Sequence, residues 1–442
     1  MNTKEDHPPG PDGLPVVGNT VEFSRDTFAF FEQLRKEYGR IASYDVFSTD
    51  ACMVADPESI REVLLDDHDT YKKGDLLTRS LGDAMGEGLP LAEGERWERQ
   101  RNHIQPVFYR NRLDTYVPAM RATAAETIDG WGDGTVVDIY DAMTKTTIGV
   151  LGRTLFGVDV ADEPVIAEAS EAILARFDTS RFWSFLPDRI PTPTNRRYKR
   201  ELSRLREFVD KLAQQRGNLA PDERGNDLLS ILVGLLETGD VSWDELRDNM
   251  IAFLFAGHET TALGLTYTLL CLAQNPDEQA RIRTEVNSTC DGDIVAADIS
   301  DLERTEQAID EALRLYPPVY FFFREPTQDV NLSGYEISEG TTLVLPSWVV
   351  HHDPRWWDEP EEFRPGRFAG ESDRPEYAYF PFGGGPRHCL GMRFARTEMQ
   401  IVIASILRRY ELELVSDPDP DLITSSTLKP GNPVEICVHE QS

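Results

Sequence analysis

One stretch limits the fold of this chain more than any other. Ser242-Trp-Asp-Glu245 has the spacing of a capping box, and Pro276 marks the far end of the helical pattern that it opens. Between them the pattern is helical for about 33 residues, about 50 Å at 1.5 Å per residue, enough to cross an entire domain. Apolar residues recur at helical spacing on both flanks (Leu246, Met250, Phe253, Leu254; then Leu265, Leu269, Leu272), so both flanks read as buried. The centre breaks the pattern with Ala256-Gly-His-Glu-Thr-Thr261. Gly257 weakens a helix relative to Ala, and a carboxylate beside hydroxyls inside a buried helix is costly unless it is used. Glu259 and Thr260 have the chemistry to pass protons, and Gly257 the size to open a groove for a small ligand. The alternative is a solvated stripe whose Thr hydroxyls bond back to helix carbonyls.

Around this helix the pattern is mostly helical. An Asp26 N-cap opens a helix that ends at Tyr38 before Gly39, alternating runs cover 41–47 and 52–55, and Asp56-Pro57 opens another helix. Glycines at 74, 82, 86, 88 and 94 make residues 70–95 read as a mobile loop. Helical patterning then continues to about Pro317, and strand-like runs return at 329–345 and 411–440. The expected fold is mainly α with a small β region contributed from both ends. A prior of about 150 residues per domain would divide 442 residues into two or three. The single helical body instead favours one domain over 1–442, opened by a proline-rich segment (1–25).

Composition excludes several functions. The chain has 45 basic against 77 acidic residues, net −32, and of the basic residues 8 are Lys and 37 Arg. Such a surface repels phosphates, which argues against nucleic-acid or anionic-membrane partners. Acid excess with scarce Lys suggests a halophilic protein from a high-salt cytoplasm, the alternative being an ordinary acidic one. Five scattered cysteines without a C-x-x-C pair argue against a disulfide framework or a structural zinc site. With no apolar run of about 18 residues and no signal-peptide pattern, the expectation is a soluble cytoplasmic protein without a membrane span.

The second informative segment is Tyr379-Phe-Pro-Phe-Gly-Gly-Gly-Pro-Arg-His-Cys-Leu-Gly391, just before a helix starting near Met392. Glycines let the backbone turn tightly and present amides to the Cys389 sulfur, while a helix N-terminus and Arg387 favour its thiolate. By itself Cys389 reads as a buried structural cysteine, a nucleophile or a metal ligand. The Gly run lacks the Lys-Ser/Thr of a phosphate loop.

Here a resemblance becomes specific. Phe382-x-x-Gly385-x-Arg387-x-Cys389-x-Gly391 resembles the haem-binding signature of the cytochrome P450 family, soluble prokaryotic type. Ala256-Gly257-x-Glu259-Thr260-Thr261 resembles its oxygen-binding segment. Glu311-Ala-Leu-Arg314 with Phe363-Arg-Pro-Gly-Arg-Phe368 resembles its Glu–Arg–Arg network, and Trp97-x-x-x-Arg101 its propionate-binding helix. The elements stand in family order from about Pro8 to the C-terminus.

The resemblance implies haem b held between the long central helix and the helix after the cysteine loop. Cys389 would be its metal ligand, an axial thiolate that favours O–O cleavage, with Phe382 packed near the sulfur and Gly385 and Gly391 shaping the loop. Ala256 and Gly257 would line a groove for dioxygen, and Thr260 and Glu259 would form the catalytic acid–alcohol pair that delivers protons. Trp97, Arg101, Arg324 and Arg387 would neutralise the propionates, and Glu311, Arg314 and Arg367 would lock the loop. A Glu311–Arg314 salt bridge is expected from i, i+3 spacing alone.

His351-His352 suggests a metal site, but His-Asp-Pro resembles the family's loop after the sheet. The family's substrate regions map onto 70–95, 175–195, 250–260, 318–323 and 424–428. They contain Phe182-Trp-Ser-Phe185 and Val319-Tyr-Phe-Phe-Phe323, walls for an apolar substrate such as a fatty acid, carotenoid or terpenoid. The implied reaction is monooxygenation with O2. Alternatives are a peroxide-driven peroxygenase, which the Glu259-Thr260 pair argues against, and a non-catalytic haem protein. No fused reductase is seen, so electrons are expected from a ferredoxin-type donor. Residues 94–112 and 374–396 each carry +3, leaving −38 for the rest, and in the family both segments border the donor's docking face.

Overall fold

The capping box forms. Ser242 Oγ accepts the Glu245 amide and the Glu245 carboxylate accepts the Ser242 amide, both at 3.0 Å, opening a 31-residue central helix, Trp243–Ala273. The structure is a computed structural model that describes residues 7–46, 49–160, 163–178 and 190–441. Pro276 does not merely stop the central helix but opens the next, Pro276–Thr289. Leu263, Leu265 and Leu269 have no exposure, each burial stabilising by about 1.5–3 kcal/mol. The surrounding helices include Arg110–Asp129, Ile139–Leu151, Glu303–Leu315 and Met392–Arg409, and their apolar faces merge with the central helix in one large core.

A second core lies under a five-stranded sheet. Its order is Ile41–Val46, Thr49–Val54, Thr342–Leu345, Phe322–Pro326, Tyr71–Lys72, with one parallel pairing, between the second and third. The proline-rich start packs along the first strand, where the Ser43 amide donates to the Pro9 carbonyl at 2.9 Å. A three-stranded sheet joins Thr135–Asp138 to Glu435–Glu440 and Tyr410–Leu414. Asp26 caps the helix Thr27–Tyr38 as expected, and Asp56 caps Pro57–Arg61. Among the described residues no helix is long and apolar enough to cross a membrane.

Residues 70–95 correct the sequence reading. They hold an 11-residue helix, Asp75–Met85, rather than an extended loop. Gly74 and Gly86 bound this helix, and Gly86 takes the left-handed φ of +45° at its C-cap. The turn beyond is fastened to the central helix: Asp248 accepts the Glu87 amide at 2.8 Å and Asn249 accepts the Leu89 amide at 2.9 Å.

Candidate functional site

The cysteine loop is shaped by close packing. Gly383 and Gly385 have φ of +71° and +62°, and a Cβ on Gly385 would stand 1.7 Å from the Leu64 carbonyl oxygen, so only glycine fits there. The Cys389 amide donates to Phe382 O at 2.9 Å, and Gly391 caps the helix Met392–Arg409. Three of the other four cysteines are buried and Cys437 is partly so, whereas Cys389 is exposed. Burial of its surroundings nevertheless pushes its thiol up. The Gly391 amide, Arg101 and Lys73 act in the opposite direction, favouring thiolate. The expected influence of Arg387 on the sulfur is therefore replaced by that of Arg101 and Lys73.

Those two cations belong to a buried cluster. Arg101 donates to the His388 carbonyl at 3.1 Å. Arg387 stacks over the Trp97 ring at 4.6 Å, donates to Ala92 O at 2.9 Å and pairs with Glu93. Glu93 also accepts the Lys73 amide at 2.7 Å. Arg324 bonds the Phe323 carbonyl, and burial followed by Arg387 pushes it down to about 10. Burial and its Arg neighbours push Lys73 down to about 7. Four cations thus converge, with Glu93 acting on Lys73, Arg324 and Arg387 and Asp69 on Arg387 alone, an excess that a dianionic group would relieve. Together with a thiol among amide donors, this fits the propionates and iron of haem. Lys73 was not anticipated; the signal was two of the chain's eight lysines standing together at 72 and 73.

The central helix turns two faces in different directions. Ala256 is exposed and Thr260, one turn on, partly so, while His258, Glu259 and Thr261 are buried. The Thr260 hydroxyl donates to Ala256 O at 2.7 Å. Glu259 points to the helix Ile139–Leu151, where its Oε1 accepts the Tyr140 hydroxyl at 2.7 Å. Glu259 and Thr260 are therefore neighbours in sequence that make their hydrogen bonds on different sides of the helix. A Cβ on Gly257 would meet Leu151 at 3.0 Å, so the glycine admits the neighbouring helix Ile139–Leu151.

The Glu–Arg–Arg network forms. Arg314 makes a bidentate contact with Glu311, both bonds 2.8 Å, and Arg367 Nε donates to Glu311 Oε1 at 2.8 Å. Glu311 and Arg314 have no exposure. Arg314 also donates to the His351 carbonyl at 2.9 Å, and the Phe380 amide at the start of the cysteine loop donates to His351 Nε2 at 3.0 Å. The network thereby reaches the loop through His351. His352 stacks on Trp348 and bonds its carbonyl. Both histidines are used by the fold, and no cluster of three metal-ligating residues occurs among the described residues.

Of the aromatic run at 319–323, Tyr320 donates to Ser425 O at 2.6 Å, and Phe322 faces Phe380 and Gly383 of the cysteine loop. Phe321 and Phe323 contact each other at 4.8 Å. A separate apolar cluster joins Met85, Leu91, Ile173, Leu174, Ala252 and Phe255 beside the exposed face at Ala256. The segment Phe182-Trp-Ser-Phe185 lies outside the described residues.

The fold is that of a haem-thiolate oxygenase. The family model for cytochrome P450 matches residues 8–438, and the chain belongs to that family. It is 31% identical over 415 residues to cyclooctat-9-en-7-ol 5-monooxygenase of Streptomyces melanosporofaciens, covering 92% of this chain and 89% of that one. It is also 31% identical over 427 residues to pentalenene oxygenase of Streptomyces avermitilis, covering 95% and 94%. Retinoic acid bound cyanobacterial CYP120A1 superposes with a TM-score of 0.89 at 26% identity, covering 99% of this chain and 100% of that one. The family's cofactor is haem b, and the chain is an oxidoreductase that incorporates oxygen.

Proposed function

We propose that this monooxygenase inserts one oxygen atom from O2 into an apolar substrate of terpenoid, carotenoid or fatty-acid type. The observation that carries the reading of the site is Cys389: the one exposed cysteine among the five, on a glycine loop, under the influence of Arg101, Lys73 and the Gly391 amide. In this reading Cys389 ligates the iron, with Phe382, Gly385 and Gly391 shaping its loop. Lys73, Arg101, Arg324 and Arg387 hold the propionates, Trp97 orients Arg387, and Glu311, Arg314 and Arg367 brace the loop. Bound haem supplies the activation of dioxygen. Ala256 and Thr260 face the reacting groups, and Glu259 supplies protons to Thr260 after turning from Tyr140.

The substrate class is supported by the apolar cluster beside Ala256 and by the names of the terpenoid-oxidising relatives. A spin-state screen of sesquiterpenes, diterpenes, retinoids and fatty acids tests it. A low-spin to high-spin shift with one of these classes is expected, and a response confined to polar compounds would overturn it. Replacing Thr260 by Ala should divert reducing equivalents to peroxide; unchanged product per NAD(P)H would remove the proton-relay role.

For the electron donor we favour a ferredoxin-type acidic protein. Arg99 and Arg396 are paired with Glu245 and with Asp310 and Glu306 respectively. Arg110 and Arg393 are exposed and make no ion pair among the described residues, and Tyr109, next to Arg110, is 50% exposed. Phe108 lies 3.9 Å from the Cβ position of Gly391, which sets this patch beside the cysteine loop. Charge reversal at Arg110 and Arg393 should slow reduction by an acidic ferredoxin, most at low salt. Identical rates at all salt concentrations would exclude it. The net charge of −32 further supports a cytoplasmic, high-salt setting, in which the melting temperature rises with KCl; a salt-independent melting temperature would contradict that.

A further inference from the structure

Glu259 is buried at 2% exposure, so a proton that it hands on must be replaced through a neighbouring group; of these, the Tyr267 hydroxyl is engaged by Leu428 O at 3.0 Å. On one side is His258, which has no exposure. Its Nδ1 is engaged by Leu254 O at 2.5 Å and its Nε2 stands 3.8 Å from the Glu259 carboxylate, so it offers no route outward. On the other side is Tyr140, in the first turn of the helix Ile139–Leu151, soon after the exposed strand residues Thr135 and Val136. Tyr140 is half-buried, with its hydroxyl on Glu259 at 2.7 Å.

The surroundings fix this tyrosine in place. Thr147 donates to the His258 carbonyl at 3.1 Å and Leu151 packs against Gly257, which sets the register of the two helices. The Lys429 ammonium sits over the Tyr140 ring at 4.7 Å, a cation–π contact. Lys429 is placed in turn by Leu428, whose carbonyl accepts the Tyr267 hydroxyl at 3.0 Å. Burial and the adjacent Glu259 push the Tyr140 phenol up, so the hydroxyl keeps its proton until another replaces it.

We infer that Tyr140 is the outer station of the proton path to Glu259, passing its phenolic proton to the carboxylate while a solvent proton binds the phenol oxygen. The O–H bond of Tyr140 breaks as a new one forms on the same oxygen, one O–H bond forms on Glu259, and no electrons leave either group. Turning Glu259 about its side-chain bonds then carries the proton toward Thr260. This rests on the reading of Glu259 as the proton source for Thr260.

The test uses the holoenzyme with a substrate from the spin-state screen and a surrogate ferredoxin and reductase. Tyr140→Phe keeps the ring and its Lys429 contact and removes only the hydroxyl. Before turnover, the infrared carboxyl band of Glu259, assigned by difference against Glu259→Gln, should shift in Tyr140→Phe; no shift would overturn the contact. In turnover, Tyr140→Phe should lower product per NAD(P)H several-fold and change the solvent isotope effect. Combining it with Glu259→Gln should add nothing to the loss from Glu259→Gln alone. Full yield in Tyr140→Phe with low yield in Glu259→Gln would defeat the role of Tyr140 and leave that of Glu259. Full yield in Glu259→Gln would defeat the underlying reading, and this inference with it.

Discussion

The Nε2 of His351 accepts the Phe380 amide at 3.0 Å, which ties the helix bearing the Glu311–Arg314 pair to the loop bearing Cys389. As an acceptor, this nitrogen carries no proton, so the fold requires neutral His351. Burial, followed by His352 and Arg314, depresses its pKa well below the usual value, and burial pushes His352 down to about 3.

Acid stability depends on that contact. Below about pH 6.5 the unfolded chain protonates both histidines while the fold does not, so the unfolded state binds more protons and stability is lost as the pH is lowered. Each contributes about 1.4 kcal/mol per pH unit until its folded pKa is reached. Chemical denaturation between pH 7 and 5 should show a steep acid limb that His351→Gln and His352→Gln together flatten. An unchanged slope in the double variant would contradict the assignment.

Glu398 has no exposure, and neither carboxyl oxygen finds a partner among the described residues. Burial pushes its carboxyl well above the usual range. A raised folded pKa means that any stabilisation is present below about pH 4.3 and is lost as pH rises through the folded value. Replacing Glu398 by Met should therefore stabilise the protein at pH 8, by about 1–3 kcal/mol. The gain should shrink toward pH 5. A lower melting temperature at pH 8 would show that the carboxyl has an essential partner.

The two signature glycines should behave differently. Gly385→Ala brings a Cβ within 1.7 Å of the Leu64 carbonyl oxygen at a left-handed φ, so folded, haem-retaining protein should be lost. Gly391 has φ of −85°, and a Cβ there meets Phe108 at an ordinary 3.9 Å. Gly391→Ala should keep its fold and its haem. Equal haem content in the two purified variants would contradict this steric account.

Much of this fold was legible because its signals are local. The Ser242–Glu245 box, the Asp26 and Asp56 caps and the i, i+3 pair Glu311–Arg314 each lie within a few residues. The helix Asp75–Met85 was obscured because Gly74 and Gly86 are its ends, and read without contacts they look like breaks. At the candidate site, Cys389 and Arg101 stand out from the sequence because their motifs are contiguous. Lys73 and Glu93 were missed because tertiary packing, not periodicity, brings them to Arg387. The hydroxyl that holds Glu259 was equally out of reach, since Tyr140 lies 119 residues away along the chain.

The most direct test of the central claim is the absorption spectrum of the purified protein, reduced with dithionite and exposed to carbon monoxide. A strongly red-shifted Soret band is predicted, lost in Cys389→Ser while the protein remains folded. Folded protein that takes up no haem, or a red-shifted band that persists in Cys389→Ser, would contradict Cys389 as the thiolate ligand.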